Sequence, residues 1–200
     1  MGLLHRLLER PLVYRLWQAP FAAQKLRPIK DLPALRQAGR VLDMACGPGN
    51  HAQLFDPASY VGVDTNPDYI KSAQRAHGGH FEVGDACTYE PRDGERFDLI
   101  FANSFLHHLD DGQAQQALAN LARLCKPGGR LLLMDLVMPE RAGIVRMLAR
   151  ADRGDHARPY KHWQSLLESH FTAKRCEPYR LGIGPLHLWH MIYFEGTPRS

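Results

Sequence analysis

The stretch Val41-Leu42-Asp43-Met44-Ala45-Cys46-Gly47-Pro48-Gly49-Asn50 decides how this chain is read. An apolar run ends in a loop whose glycines let backbone approach a ligand where a Cβ would collide. The pattern is a buried strand running into a turn and a short helix, with helix N–H groups facing the crevice at the carboxyl end of a sheet. Alone, the loop also fits a plain strand–helix turn, the lesser of the two readings. A phosphate loop is disfavoured, because neither Gly-Lys-Ser/Thr nor Gly-x-Gly-x-x-Gly spacing is present.

Outward from this loop the chain alternates short apolar runs with helical stretches. Strands are expected at 41–45, 60–63, 81–83, 97–102 and 130–137. Between the last two, Ala114, Ala117, Leu118, Leu121, Ala122 and Cys125 fall at helical spacing, and Pro127-Gly128-Gly129 stops that helix. Strand–helix alternation argues for a parallel sheet covered on both faces. The end differs: 173–179 and 188–195 flank a Gly-Ile-Gly-Pro turn and read as an antiparallel hairpin. A helix over 160–171 explains Trp163, Leu166, Leu167 and Phe171 as core. Residues 1–34 read as a basic, amphipathic helical cap punctuated by Pro11, Pro20 and Pro28, and 35–200 as one domain.

The second strand ends at Asp64, 21 residues beyond Asp43. An acid at that distance is placed to accept hydrogen bonds from both ribose hydroxyls of an adenosine. After the third strand, Gly84-Asp85-Ala86 offers a carboxylate to an adenine amino group and the Ala86 N–H to the ring. Any one of these features suits a surface loop. Three in order at successive strand ends point to a nucleoside crevice.

With these residues in place, the sequence resembles the class I S-adenosyl-L-methionine-dependent methyltransferases of the small-molecule type. The family's first motif, (D/E)xGxGxG, is matched by Asp43, Ala45, Gly47 and Gly49, with Ala45 in place of the first glycine. Asp64 matches the ribose acid and Gly84-Asp85-Ala86 the adenine motif. Residues 97–103, followed by Leu106-His107-His108-Leu109, match the fourth-strand motif. Lys126-Pro127-Gly128-Gly129 matches the turn into the fifth strand. The likeness covers roughly 35–138. It implies a Rossmann-like α/β fold: a mostly parallel seven-stranded sheet, an antiparallel C-terminal hairpin and helices on both faces. It also implies S-adenosyl-L-methionine as cofactor, held by Asp43, Ala45, Cys46, Gly47, Gly49, Asp64, Thr65, Asp85, Ala86 and Asn103. Asp43 would act indirectly, by ordering the glycine loop.

Methyl transfer from a sulfonium is an in-line displacement in which alignment supplies much of the catalysis. An oxygen acceptor usually needs a general base, and His107 and His108, beside the expected methyl position, are the candidate catalytic residues. The plainer reading makes them a helix entry that packs near the cofactor. Metal ligation lacks a third ligand at suitable spacing. Tyr160 and His162 are candidate acceptor contacts, whereas His187, Trp189 and His190 read as structural. Asn103-Ser104-Phe105-Leu106 lacks the proline pair and aromatic found in methyltransferases of nucleic-acid base amines, so nucleic acid is a disfavoured partner.

Net charge is +4, split as +6 over 1–40, −7 over 41–140 and +4 over 141–161. Two basic segments bracketing an acidic half suggest an anionic small-molecule acceptor, or weak contact with an anionic membrane surface, against the plain alternative of solubility. No run approaches the roughly 18–20 apolar residues of a membrane span. The scattered cysteines Cys46, Cys87, Cys125 and Cys176 suit reduced thiols in a cytoplasmic protein. O-methylation of a small molecule is the favoured activity, with N or C acceptors open. Methylation of RNA or protein, and non-catalytic cofactor binding, stand as alternatives.

Overall fold

A computed structural model describes residues 21–29, 35, 37–151 and 154–199. Seven strands form one sheet: β1 Val41–Met44, β2 Tyr60–Asp64, β3 His80–Val83, β4 Phe97–Asn103, β5 Cys125–Leu136, β6 Phe171–Ile183 and β7 Leu186–Pro198. Their order is β3-β2-β1-β4-β5-β7-β6. β1 to β5 run parallel, and β7 lies antiparallel to both β5 and β6. β1 lies between β2 and β4, so the strand order reverses there and a crevice opens at their carboxyl ends.

Side chains alternate between the two faces of the sheet, and each face builds its own core. On one, Leu42, Val61, Ile100, Leu131, Leu133 and Phe194 pack against α3 (Asp111–Leu124) and α5 (Tyr160–Glu168). On the other, Val41, Leu99, Phe101, Leu132 and Tyr193 meet Ile70 and Ala73 of α2 (Pro67–His77) and Ile29 of the N-terminal segment. A third cluster joins Phe21 and Leu148, the latter on α4 (Ile144–Arg150), to the distal half of the hairpin. The short helix α1 (Ala22–Lys25) docks there through Gln24, whose Nε2 donates to Gly182 O while its Oε1 accepts from Gly182 N, at 3.0 and 3.1 Å. The rest of the expected 1–34 cap, apart from 21–29, lies outside the described residues.

The boundaries shift for local reasons. α3 starts on a capping box, with the Asp110 carboxylate accepting from Gln113 N and the Gln113 side chain from Asp110 N. It ends at Leu124 rather than 125, because Cys125 is already extended and pairs with Phe97. Pro127-Gly128-Gly129 is absorbed as an irregularity in β5, with Gly128 at φ 78°. The helix expected at 160–171 stops at Glu168, and Phe171 opens β6. The hairpin strands are longer than expected, meeting at a two-residue turn, Gly184-Pro185. No described helix is long and apolar enough to cross a membrane.

Candidate functional site

The glycine loop leaves β1 with Ala45 at φ 62°, Gly47 at 55° and Gly49 at 82°. The two glycines serve different ends. Gly47 lines a cavity of about 370 Å³, and a Cβ there would meet no protein atom. Gly49 faces α2 instead, where a Cβ would stand 2.7 Å from the His77 ring, so it permits close helix packing. Asp64 holds the loop: its Oδ2 accepts from Gly47 N and its Oδ1 from Asn66 N, each at 2.9 Å. An ionised carboxylate offers about four lone-pair sites. Two therefore remain for a ligand, and Asp64 lines the same cavity.

Thr65, Asp85, Ala86 and Ala45 also line this space, together with Tyr69, Ser104 and His108. Asp85 is exposed and its Oδ1 accepts from Cys87 N at 2.7 Å, which fixes the bend after β3. Asn120, buried in α3, donates to Ala86 O and Tyr89 O, both at 3.0 Å, and pins this loop from behind.

Asp43 and Cys46 do not reach the cavity. Asp43 is buried and accepts from the Tyr60 hydroxyl at 2.8 Å; the tether on Gly47 comes from Asp64, not from Asp43. Burial pushes the Asp43 carboxyl up to about 7, against the lowering effect of the Tyr60 hydroxyl. The Cys46 thiol is buried and also pushed up by burial.

Asn103, at the end of β4, sits in a polar chain that sequence reasoning missed. Its Nδ2 is 3.2 Å from His51 Nε2, and its Oδ1 accepts from Ser104 Oγ at 3.2 Å. Ser104 Oγ in turn accepts from Lys25 Nζ at 3.4 Å. Burial, then the Lys25 charge, lowers His51 to about 4, so the imidazole stays neutral. Ser104 has φ 57°; it and Ala45 are the non-glycine residues with positive φ among the described residues, and both line the cavity.

The adjacent histidines part company. His107 is buried, with Nδ1 2.5 Å from Asp135 Oδ1. Asp135, fully buried in β5, also accepts from Leu106 N and Leu136 N at 2.9 and 2.7 Å. His108 is exposed and faces the cavity. Arg158 clamps the same loop: its guanidinium donates to Leu106 O and Leu109 O and to the Asp111 carboxylate. Of the two candidate bases, the fold turns only His108 toward the cavity.

The family described as a methyltransferase domain matches residues 41–129, the span that carries this crevice. The chain is 30% identical over 189 residues to trans-aconitate 2-methyltransferase of Rhizobium leguminosarum bv. trifolii (strain WSM2304), covering 86% of this chain and 70% of that one. The chain belongs to the class I S-adenosylmethionine-dependent methyltransferases. Its fold matches the N-methyltransferase NodS of Bradyrhizobium japonicum WM9, solved with S-adenosyl-L-homocysteine, at a TM-score of 0.71 and 19% identity, covering 98% of this chain and 97% of that one. A relative in Variovorax paradoxus (strain S110), also a trans-aconitate 2-methyltransferase, is 34% identical over 62% of this chain and 48% of its own length. The chain thus spans about half the length of the first curated relatives it matches.

In this methyltransferase fold a second cavity, of about 730 Å³, opens beyond the end of β5. Tyr160 lines it, its hydroxyl donating to Cys176 O at 2.7 Å. His187 and His190 line it too, although their sequence context reads as structural. His162 instead turns to Asp111, 3.5 Å away, and Trp163 and Trp189 are core.

Proposed function

We propose that this chain transfers the methyl group of S-adenosyl-L-methionine to an oxygen of a small anionic acceptor. One observation carries the reading: Asp64, Asp85, Gly47 and the end of β4 open on a single cavity at the reversal of strand order. The residues fit the cofactor. Gly47 leaves the space a Cβ would take, Asp64 keeps two lone pairs for a sugar diol, and Ala86 forms a buried floor beside the exposed Asp85. Tyr69 adds an aromatic wall. When bound, the cofactor supplies a sulfonium methyl that passes to a nucleophile by in-line displacement.

The chain's own groups orient the partners and do little proton chemistry. A carboxylate acceptor has an ordinary pKa near about 4 and is already the nucleophile at neutral pH. His108 then serves as a cavity wall, and His107 as a positioning residue through Asp135. Lys25, reaching Ser104 across the end of β4, supplies positive charge where an anionic acceptor must approach. The names of the trans-aconitate relatives support a carboxylate acceptor. Four free thiols suit a reducing, cytoplasmic setting.

Titration calorimetry with S-adenosyl-L-homocysteine, followed by methyl transfer from labelled S-adenosyl-L-methionine to trans-aconitate, tests the reading. Wild-type binding is expected, and Asp64→Ala is expected to weaken it at least about tenfold through lost charge-assisted hydrogen bonds. Unchanged affinity in that variant would refute the site.

A further inference from the structure

The second cavity is where the fold gathers basic side chains. Arg27, Arg141, Arg180, His187 and His190 all line it, opposed by one acid, Glu140. No ion pair engages Arg27, Arg141 or Arg180 among the described residues. These basic residues come from remote parts of the chain: the N-terminal segment, the loop after β5, and the two strands of the hairpin. Arg180 and His190 are direct partners across the β6–β7 ladder, an arrangement that disfavours the protonated imidazole. His190 is correspondingly pushed below its ordinary value, by burial first and then by Arg180 and His187. Three guanidiniums and two imidazoles set against one lining acid among the described residues favour an anion there. Between them the lining is apolar, with Val137, Met138, Pro139 and Met191. The volume falls within the roughly 300–1,000 Å³ of small-molecule sites.

This cavity is linked to the cofactor crevice by one residue. Lys25 O accepts from the hydroxyl of Tyr179, a lining residue of the large cavity, at 2.9 Å. Its Nζ reaches Ser104, which lines the small one. The two spaces are therefore one lysine side chain apart.

We propose that the large cavity is the acceptor chamber and that it takes a polycarboxylate with an apolar body, its distal carboxylates held by Arg27 and Arg180 and the reacting one delivered past Lys25 toward Ser104. The proposal rests on the methyltransferase reading. The transfer itself balances simply: the carboxylate oxygen forms a bond to the methyl carbon, the carbon–sulfur bond breaks, and its electron pair stays on sulfur, leaving S-adenosyl-L-homocysteine and a methyl ester.

The test is calorimetry on the full chain saturated with S-adenosyl-L-homocysteine, using three probes: tricarballylate, its neutral trimethyl ester, and inorganic phosphate. Tricarballylate is expected to bind, the ester not, and phosphate more weakly. Arg27→Gln and Arg180→Gln, both exposed and so tolerated by the fold, should each weaken tricarballylate about three- to tenfold without changing the affinity for S-adenosyl-L-homocysteine. The proposal is overturned by wild-type-like tricarballylate binding in both variants, by ester binding as tight as the acid, by phosphate binding as tight as tricarballylate, or by no tricarballylate binding to the S-adenosyl-L-homocysteine complex. Failure of the wild-type chain to bind S-adenosyl-L-homocysteine at all would instead overturn the methyltransferase reading beneath it.

Discussion

Replacing Ala45 with glycine should make this protein more stable. Ala45 sits at φ 62°, in the left-handed region where an L side chain crowds the following carbonyl. That conformation costs about 1–2 kcal/mol for a non-glycine residue. Glycine removes the cost but adds freedom to the unfolded chain, which offsets about 0.4–1 kcal/mol of the gain. The net expectation is about 0.5–1 kcal/mol of added stability, or roughly 1–4 °C in Tm for a domain of this size. Ala45 is only half-buried, so little packing is lost with its methyl. The assay is thermal unfolding followed by circular dichroism, with Ala45→Val as the opposing variant, since a β-branched side chain should be destabilising at this φ. Affinity for S-adenosyl-L-homocysteine should be kept or rise in Ala45→Gly, because the cavity wall loses one methyl. A fall in Tm for Ala45→Gly, or equal Tm for the glycine and valine variants, would refute the strain argument.

Asn120→Ala should take the side-chain donor from Ala86 O and leave Tyr89 O with only the longer one from Arg123, costing about 1–3 kcal/mol in urea unfolding and weakening S-adenosyl-L-homocysteine binding, because the loop behind Asp85 loses its anchor. Asp43 titrates in the opposite sense to an ordinary paired carboxylate. With its folded value raised to about 7 from the ordinary 3.8, the folded state binds the extra proton between those values, so its contribution to stability falls as pH rises through that window. Asp43→Asn, which mimics the protonated form and can still accept from Tyr60, should match the wild type near pH 4 and exceed it increasingly toward pH 8 in a series of denaturant curves. His107→Ala should cost about 3–5 kcal/mol by leaving Asp135 buried with its ring partner gone. His108→Ala should shift Tm by no more than about 2 °C, since exposed positions change stability little, and comparing the two melting curves checks the different roles assigned to them.

The sheet could be read from sequence because its information is local. Alternation in Leu42, Val61 and Ile100, set against Val41, Leu99 and Phe101, is visible strand by strand, and the glycine loop and Asp64 mark its carboxyl edge. The wall of the site was hidden because its contacts are remote: Lys25 meets Ser104 across 79 positions, and His51 meets Asn103 across 52. Nothing in the neighbourhood of Lys25 or Arg158 distinguishes either from a surface cation. Asp135 did carry a signal. An acid inside Leu131-Leu132-Leu133-Met134-Asp135-Leu136 is buried by its strand and must find donors, and a histidine was already in view at 107. Ala45 carried the other signal, as the residue standing where a glycine fits the backbone. Such local conflicts persist where the surrounding structure enforces them, and they cluster at sites of function. Ala45 and Ser104 come from the ends of different strands, and both strained backbones border one cavity. That coincidence argues that the geometry of this crevice is held against the preference of its own residues, which is what a site that must align a methyl group with its acceptor requires.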